Sequence, residues 1–114
     1  DSYSWGMEKA GEILDLRPNA IYCLNDHIAF GVLAALRKLG VSVPEEIAVV
    51  GNDNFEAAKF VEPPLTSVDM MLEDCGELAG KLLLTMLDGE KPQAPILGPA
   101  KVKVRASTVG LEKM

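Results

Sequence analysis

Two short runs, AIYCL at 20–24 and IAVVG at 47–51, are apolar throughout, and each passes directly into a polar cluster. Between them lies a stretch from about Asp26 to Leu39 in which Ile28, Phe30, Val32, Leu33, Leu36 and Leu39 recur at helical spacing. Gly40 then stands where a helix stop is wanted, and Pro44 follows as a breaker. Strand, helix and strand in that order form a parallel βαβ unit. Strands that do not alternate in polarity are those expected where helices cover both faces of a parallel sheet.

The rest of the chain extends the pattern. A helix capped by Ser2 or Ser4 is expected through Trp5, Met7, Ala10, Ile13, Leu14 and Leu16, stopped by Arg17-Pro18-Asn19. After the second strand come a short helix at 56–60, the breaker Pro63-Pro64 and a short strand at 65–69. A long amphipathic helix at 71–87 ends at Asp88-Gly89. EKPQAPILGP reads as an extended, proline-rich segment, and KVKVRAS (101–107) alternates as an edge strand with one wet face.

The 114 residues suit one globular domain, with 48% hydrophobic and 25% charged residues. No apolar run approaches the roughly 18 residues that cross a bilayer. Seventeen acidic residues against 11 basic ones give a net charge of −6, which repels a phosphate backbone. Cys23 and Cys75 sit in apolar contexts and read as buried thiols in a reducing cytoplasm. DSYSWGMEK lacks the basic and apolar regions of a signal peptide, and with no initiator Met it is expected to begin partway through a larger protein.

Ligands of open parallel sheets bind outside the carboxyl ends of the strands, where loops part and helix N-termini present amides. Asn25-Asp26-His27 and Asn52-Asp53-Asn54 occupy two such ends. Their amides and carboxylates suit a polyhydroxyl ligand, yet the same residues make good caps: Asn25 or Asp26 for the helix after the first strand, Asp53 for the next short one. His27, the one histidine of the chain, has no spacing partner for a metal and is expected on the surface of a first helical turn. No G-x-S-x-G elbow, G-x-G-x-x-G loop or Walker run is present, so catalysis has no anchor and no cofactor is implied. Phe30 and Phe60, with the aliphatic residues around them, either fill a core or form an oligomer interface.

AIYCLNDHIAFGVLAALRKLGVSVPEEIAVVGNDNF, then EPPLTSV and the VRAST tail, closely resembles the effector-binding core of lactose-repressor-type (LacI/GalR) transcription regulators. The likeness covers nearly the whole chain. It implies an α/β, parallel-sheet, three-layer lobe of the periplasmic-binding-protein-like type I fold, with residues 1–114 forming an incomplete C-terminal lobe. The headpiece and N-terminal lobe lie outside this sequence.

The resemblance also implies that Asn25 and Asp53 hydrogen-bond a sugar or similar small effector between the lobes. It makes Asp26 the helix cap, and it places Asp1 near a position that presents an aromatic ring to the ligand in relatives. Phe30 and Phe60, with Leu33 beside them, match the surface through which the family forms homodimers. Asn52 and His27 depart from the family pattern. A periplasmic sugar-binding protein and a small α/β enzyme using Asp26 or Asp53 as base are the rival readings. As a regulator the protein would be cytoplasmic and would reach operator DNA only through the headpiece.

Overall fold

The structure is a computed structural model, and it describes residues 1–92 and 98–108. In chain order the elements are α1 (Ser2–Leu14), β1 (Ala20–Tyr22), α2 (Asp26–Lys38), β2 (Ala48–Asn52), a 3-10 turn (Glu56–Lys59), β3 (Thr66–Asp69), α3 (Leu72–Leu87) and β4 (Lys101–Lys103). The strands lie in the order β1-β2-β3-β4. β1 and β2 pair in parallel with Tyr22 opposite Val50, and β2 and β3 pair in parallel with Val50 opposite Thr66. The chain divides into two compact units, one of Asp1–Asp69 with the segment from Val102, the other of Met70–Lys101.

The first unit holds the core. Ile21, Cys23, Val49 and Leu65 from the sheet meet Ala29, Val32, Leu33 and Leu36 from α2. α1 packs on α2 so closely that the backbone of one helix touches the other. A Cβ on Gly31 would fall on the Tyr3 carbonyl, and one on Gly6 on the Ile28 carbonyl. Glycine at both crossing points lets the two backbones meet. α2 ends as its sequence implies, with Gly40 at φ +73° donating its N–H to the Arg37 carbonyl.

Both faces are covered at the amino ends of β2 and β3, where Ala48 and Val49, and Thr66 and Ser67, are buried together, whereas β1 and the carboxyl end of β2 are covered on one face only. Ile21 is buried, whereas Tyr22 is 61% exposed and Val50 is half-buried. An apolar residue at every strand position therefore does not by itself specify a covered face in this unit. Cys23 behaves as expected: burial, and then the nearby Asp26 carboxylate, push its thiol up to about 11. It stays protonated at neutral pH and is a poor nucleophile there.

Asp1 caps α1, in place of Ser2 or Ser4. Its Oδ1 accepts from the Ser4 amide at 2.9 Å, and the Ser4 hydroxyl donates to Oδ2 at 3.4 Å. A carboxylate at this position satisfies an orphan amide and also faces the positive end of the helix dipole.

The segment after β4 departs most from its expected form. The strand stops at Lys103, and Arg105 and Ser107 turn into the protein. Ser107 is fully buried and joins the amino ends of β2 and β3. Its Oγ donates to the Val49 carbonyl at 2.6 Å and accepts from the Thr66 amide at 2.8 Å, while its carbonyl accepts from the Val49 amide. Alternating polarity implied one wet face, but these polar side chains are satisfied internally.

In the second unit, α3 begins at Leu72 after Met71 at φ +50°, and none of its residues is buried. Cys75 is half-buried, with its thiol donating to the Met70 carbonyl at 3.2 Å, so it lacks the full burial its context implied. The extended form expected for EKPQAPILGP falls partly on residues 93–97, outside the described residues.

Candidate functional site at the strand carboxyl ends

The register fixes what shares the carboxyl edge. Tyr22 stands opposite Val50, and the Cys23 amide continues the ladder to the Val50 carbonyl. Asn52 stands opposite Val68, and the Asp53 amide reaches the Val68 carbonyl at 2.9 Å. β1 ends at Tyr22 and β2 at Asn52, so Asn25 and Asp53 both follow neighbouring parallel strands at the carboxyl edge of the sheet.

Asn25, and not Asp26, caps α2. Its backbone is extended (φ −148°, ψ 166°), and its Oδ1 accepts from the Ile28 amide at 2.9 Å. No partner for its Nδ2 occurs among the described residues. Asp26 is corrected from cap to core: it has no solvent exposure, its Oδ1 accepts from Ser67 Oγ at 2.6 Å, and its Oδ2 accepts from the Phe55 amide at 2.8 Å. A residue at the first helical position points away from the orphan amides that the preceding residue reaches, so its side chain is free to bind elsewhere. One buried carboxylate thus ties α2, the loop after β2 and β3 together. Gly51 makes room for it, since a Cβ there would fall on Asp26 Oδ1.

Asp53 does not cap the following turn, which starts after Phe55 and has no side-chain cap. It instead sits half-buried at φ +103°, a region that L residues rarely occupy. Its Oδ1 accepts from Asn52 Nδ2 at 3.0 Å, and Oδ2 has no donor among the described residues. Asn54 follows at φ +53°. Its amide donates to Ser67 Oγ at 3.0 Å, its Nδ2 to Asp69 Oδ2 at 3.3 Å, and its Oδ1 accepts from the Arg105 guanidinium at 2.7 Å. Arg105 also donates to the Leu65 carbonyl at 2.7 Å. The loop carrying Asp53 is thereby held from both sides by groups 13 to 51 residues distant in sequence.

His27 is exposed in the first turn of α2, as expected, with its ring edge-on to Phe30 (5.8 Å) and tilted against Phe55 (4.9 Å). No group of three or more metal-ligating side chains occurs among the described residues. Asp1 shares a surface hollow with Ser2, Tyr3 and His27, but its carboxylate is occupied in capping α1. Phe30 is half-buried and Phe60 is 77% exposed, whereas Leu33 is 4% exposed. Leu33 belongs to the unit's own core and also lines a surface hollow beside Phe30.

Chemically, the edge offers a carboxamide donor on Asn25 and a carboxylate acceptor on Asp53, both pre-positioned by the backbone. Sequence reasoning singled out both residues but not Ser67 and Arg105, which bond to the neighbouring Asp26 and Asn54. Ser67 gave the signal of an ordinary strand residue and Arg105 that of an edge-strand cation, and only the tertiary fold brings them to the loop.

The profile of the periplasmic binding protein-like domain matches residues 2–108. Among curated relatives, the chain is similar to the HTH-type transcriptional repressor PurR of Vibrio atlanticus, at 33% identity over 102 residues that cover 88% of this chain and 30% of that protein. Among solved structures, it is similar to the transcription regulator GntR from Chromobacterium violaceum, with TM-score 0.81, 36% identity and coverage of 96% of this chain and 42% of that one. It is also similar to a LacI family transcriptional regulator from Enterococcus faecium with bound ribose, with TM-score 0.77, 30% identity and coverage of 93% and 40%. The chain spans about 30% of the length of the PurR relative.

Proposed function

Because the chain belongs to the periplasmic binding protein-like domain family, in the form found in LacI/GalR-type regulators, we propose that it is the C-terminal part of the effector-sensing and dimerisation region of a bacterial transcription regulator. The observation that supports this reading is that Asn25 and Asp53 follow neighbouring parallel strands at one edge of the sheet, each with one polar atom that has no partner among the described residues. A carboxamide donor and a carboxylate acceptor at neighbouring strand ends suit the hydroxyls of a sugar or similar small polar molecule. That a LacI family relative holds ribose supports a sugar-class ligand. The relatives named above are transcription regulators, which favours regulation in the cytoplasm over solute transport.

In this reading the ligand bridges two lobes, and its stronger affinity for one lobe arrangement shifts DNA affinity in the intact protein. DNA contact belongs to a headpiece outside this sequence. Thermal-shift screening of the intact regulator against pentoses, hexoses and disaccharides tests it. One compound class should raise the Tm in a concentration-dependent way. No response across the panel would remove the sugar assignment.

Phe60, with Phe30 beside Leu33, forms the partner-facing surface of a homodimer. A large aromatic with 77% exposure supports this use, since aromatic anchors are enriched at interface centres. Phe60→Lys is expected to raise the dimer dissociation constant at least tenfold in sedimentation equilibrium, without lowering the Tm of the monomer. An unchanged constant places the interface elsewhere.

A further inference from the structure

Tyr22, Asn52 and Asp53 form a hydrogen-bonded line across the exposed face of β1 and β2. Tyr22 OH donates to Asn52 Oδ1 at 3.3 Å, and Asn52 Nδ2 donates to Asp53 Oδ1 at 3.0 Å. The register explains the alignment: Tyr22 is level with Val50, and Asn52 lies two residues on, on the same face of the sheet.

We infer that Tyr22 and Asn52 are positioning residues that restrict Asp53 to a single ligand hydroxyl. This rests on the effector-binding reading of Asp53. The amide of Asn52 has one workable orientation, because turning it over would set its carbonyl against the Asp53 carboxylate, acceptor to acceptor. The Tyr22 hydroxyl strengthens that orientation by donating to the carbonyl end. Asp53 cannot then swing to offer both oxygens to a vicinal diol. Oδ1 is engaged by Asn52, and Oδ2, with no donor among the described residues, is left for a ligand hydroxyl. The left-handed backbone at Asp53 adds to the restriction, since the Val68 carbonyl holds its amide in place. An apolar residue in place of Asn52 would free Oδ1 and let the carboxylate rotate. Asn52 thus sets how many hydroxyls the aspartate reads, and Tyr22 sets how firmly.

Two measurements test the line. The first needs no ligand and uses side-chain amide NMR of the chain. One Asn52 Nδ2 proton should resonate downfield of free carboxamides and exchange slowly. It should collapse to the free position in Asp53→Ala and shift in Tyr22→Phe while the Tm stays unchanged. An Asn52 amide at the free position in the wild type, or one indifferent to Tyr22→Phe, overturns the inference.

The second titrates the intact regulator with D-ribose by calorimetry. Tyr22→Phe should weaken binding about threefold and Asn52→Leu about tenfold, the range of one neutral hydrogen bond, at constant Tm. Equal affinity in all three proteins overturns the positioning role. A wild type that does not bind ribose counts against ribose as the effector, and the amide resonances then decide the positioning line by themselves.

Discussion

Asp26→Ala is expected to destabilise the chain by about 3 kcal/mol in urea unfolding, the largest stability loss from any single polar residue of the site. The carboxylate is fully buried and accepts from Ser67 Oγ and the Phe55 amide. Hydrogen bonds to a charged acceptor contribute about 1.5 to 3 kcal/mol each, and removing the acceptor leaves both donors buried without partners. Desolvation of the charge already offsets part of that gain in the native protein, which keeps the expected net below the sum of the two bonds. Asn25→Ala removes one helix cap and should cost about 1 kcal/mol. An Asp26→Ala loss no larger than that of Asn25→Ala would show that the carboxylate is not the tie between α2 and β3. Asp26→Asn, which keeps the volume and one acceptor, should fall between the two.

Asp53→Ala is expected to have the opposite profile, with a large effect on ligand affinity and little or none on stability. Truncating a half-buried carboxylate that accepts from a ligand costs about 1 to 3 kcal/mol of binding, roughly a 5- to 150-fold loss in affinity. Its contribution to the fold is small by comparison. The carboxylate has one side-chain partner among the described residues, the neighbouring Asn52, and the residue holds φ +103°. Backbone strain of that kind costs on the order of 1 to 3 kcal/mol, so Asp53→Gly should gain about 1 kcal/mol of stability while abolishing the ligand contact. Strain kept at a residue whose side chain serves a ligand fits a site that trades stability for geometry.

The difference between Asp26 and Asp53 also marks how far the sequence could be read. Both stood in Asx-rich junctions after apolar strands, and periodicity placed the junctions at the correct ends of β1 and β2 because buried strands and amphipathic helices leave a strong pattern. Adjacent aspartates and asparagines are locally interchangeable as caps, so the pattern could not say which one turned inward. That was decided by Gly51, whose missing side chain leaves space for a carboxylate beside β2, and by Ser67, a donor 41 residues from Asp26. The same limit hid the tail. KVKVRAS alternates as an edge strand should, but Arg105 and Ser107 find internal partners at Leu65, Asn54, Val49 and Thr66 that no local pattern announces. Leu33, spaced from Phe30 on the same helix, is 4% exposed and packs in the unit's own core.

The central claim is that the carboxyl edge of this parallel sheet binds a small polar effector through Asp53. Calorimetric titration of the intact regulator with the sugar that most raises its Tm tests that claim most directly, with wild type and Asp53→Ala compared under the same conditions. The account predicts a loss of affinity of at least fivefold in Asp53→Ala with an unchanged ligand-free Tm. The same affinity in both proteins, with both folded, would contradict it.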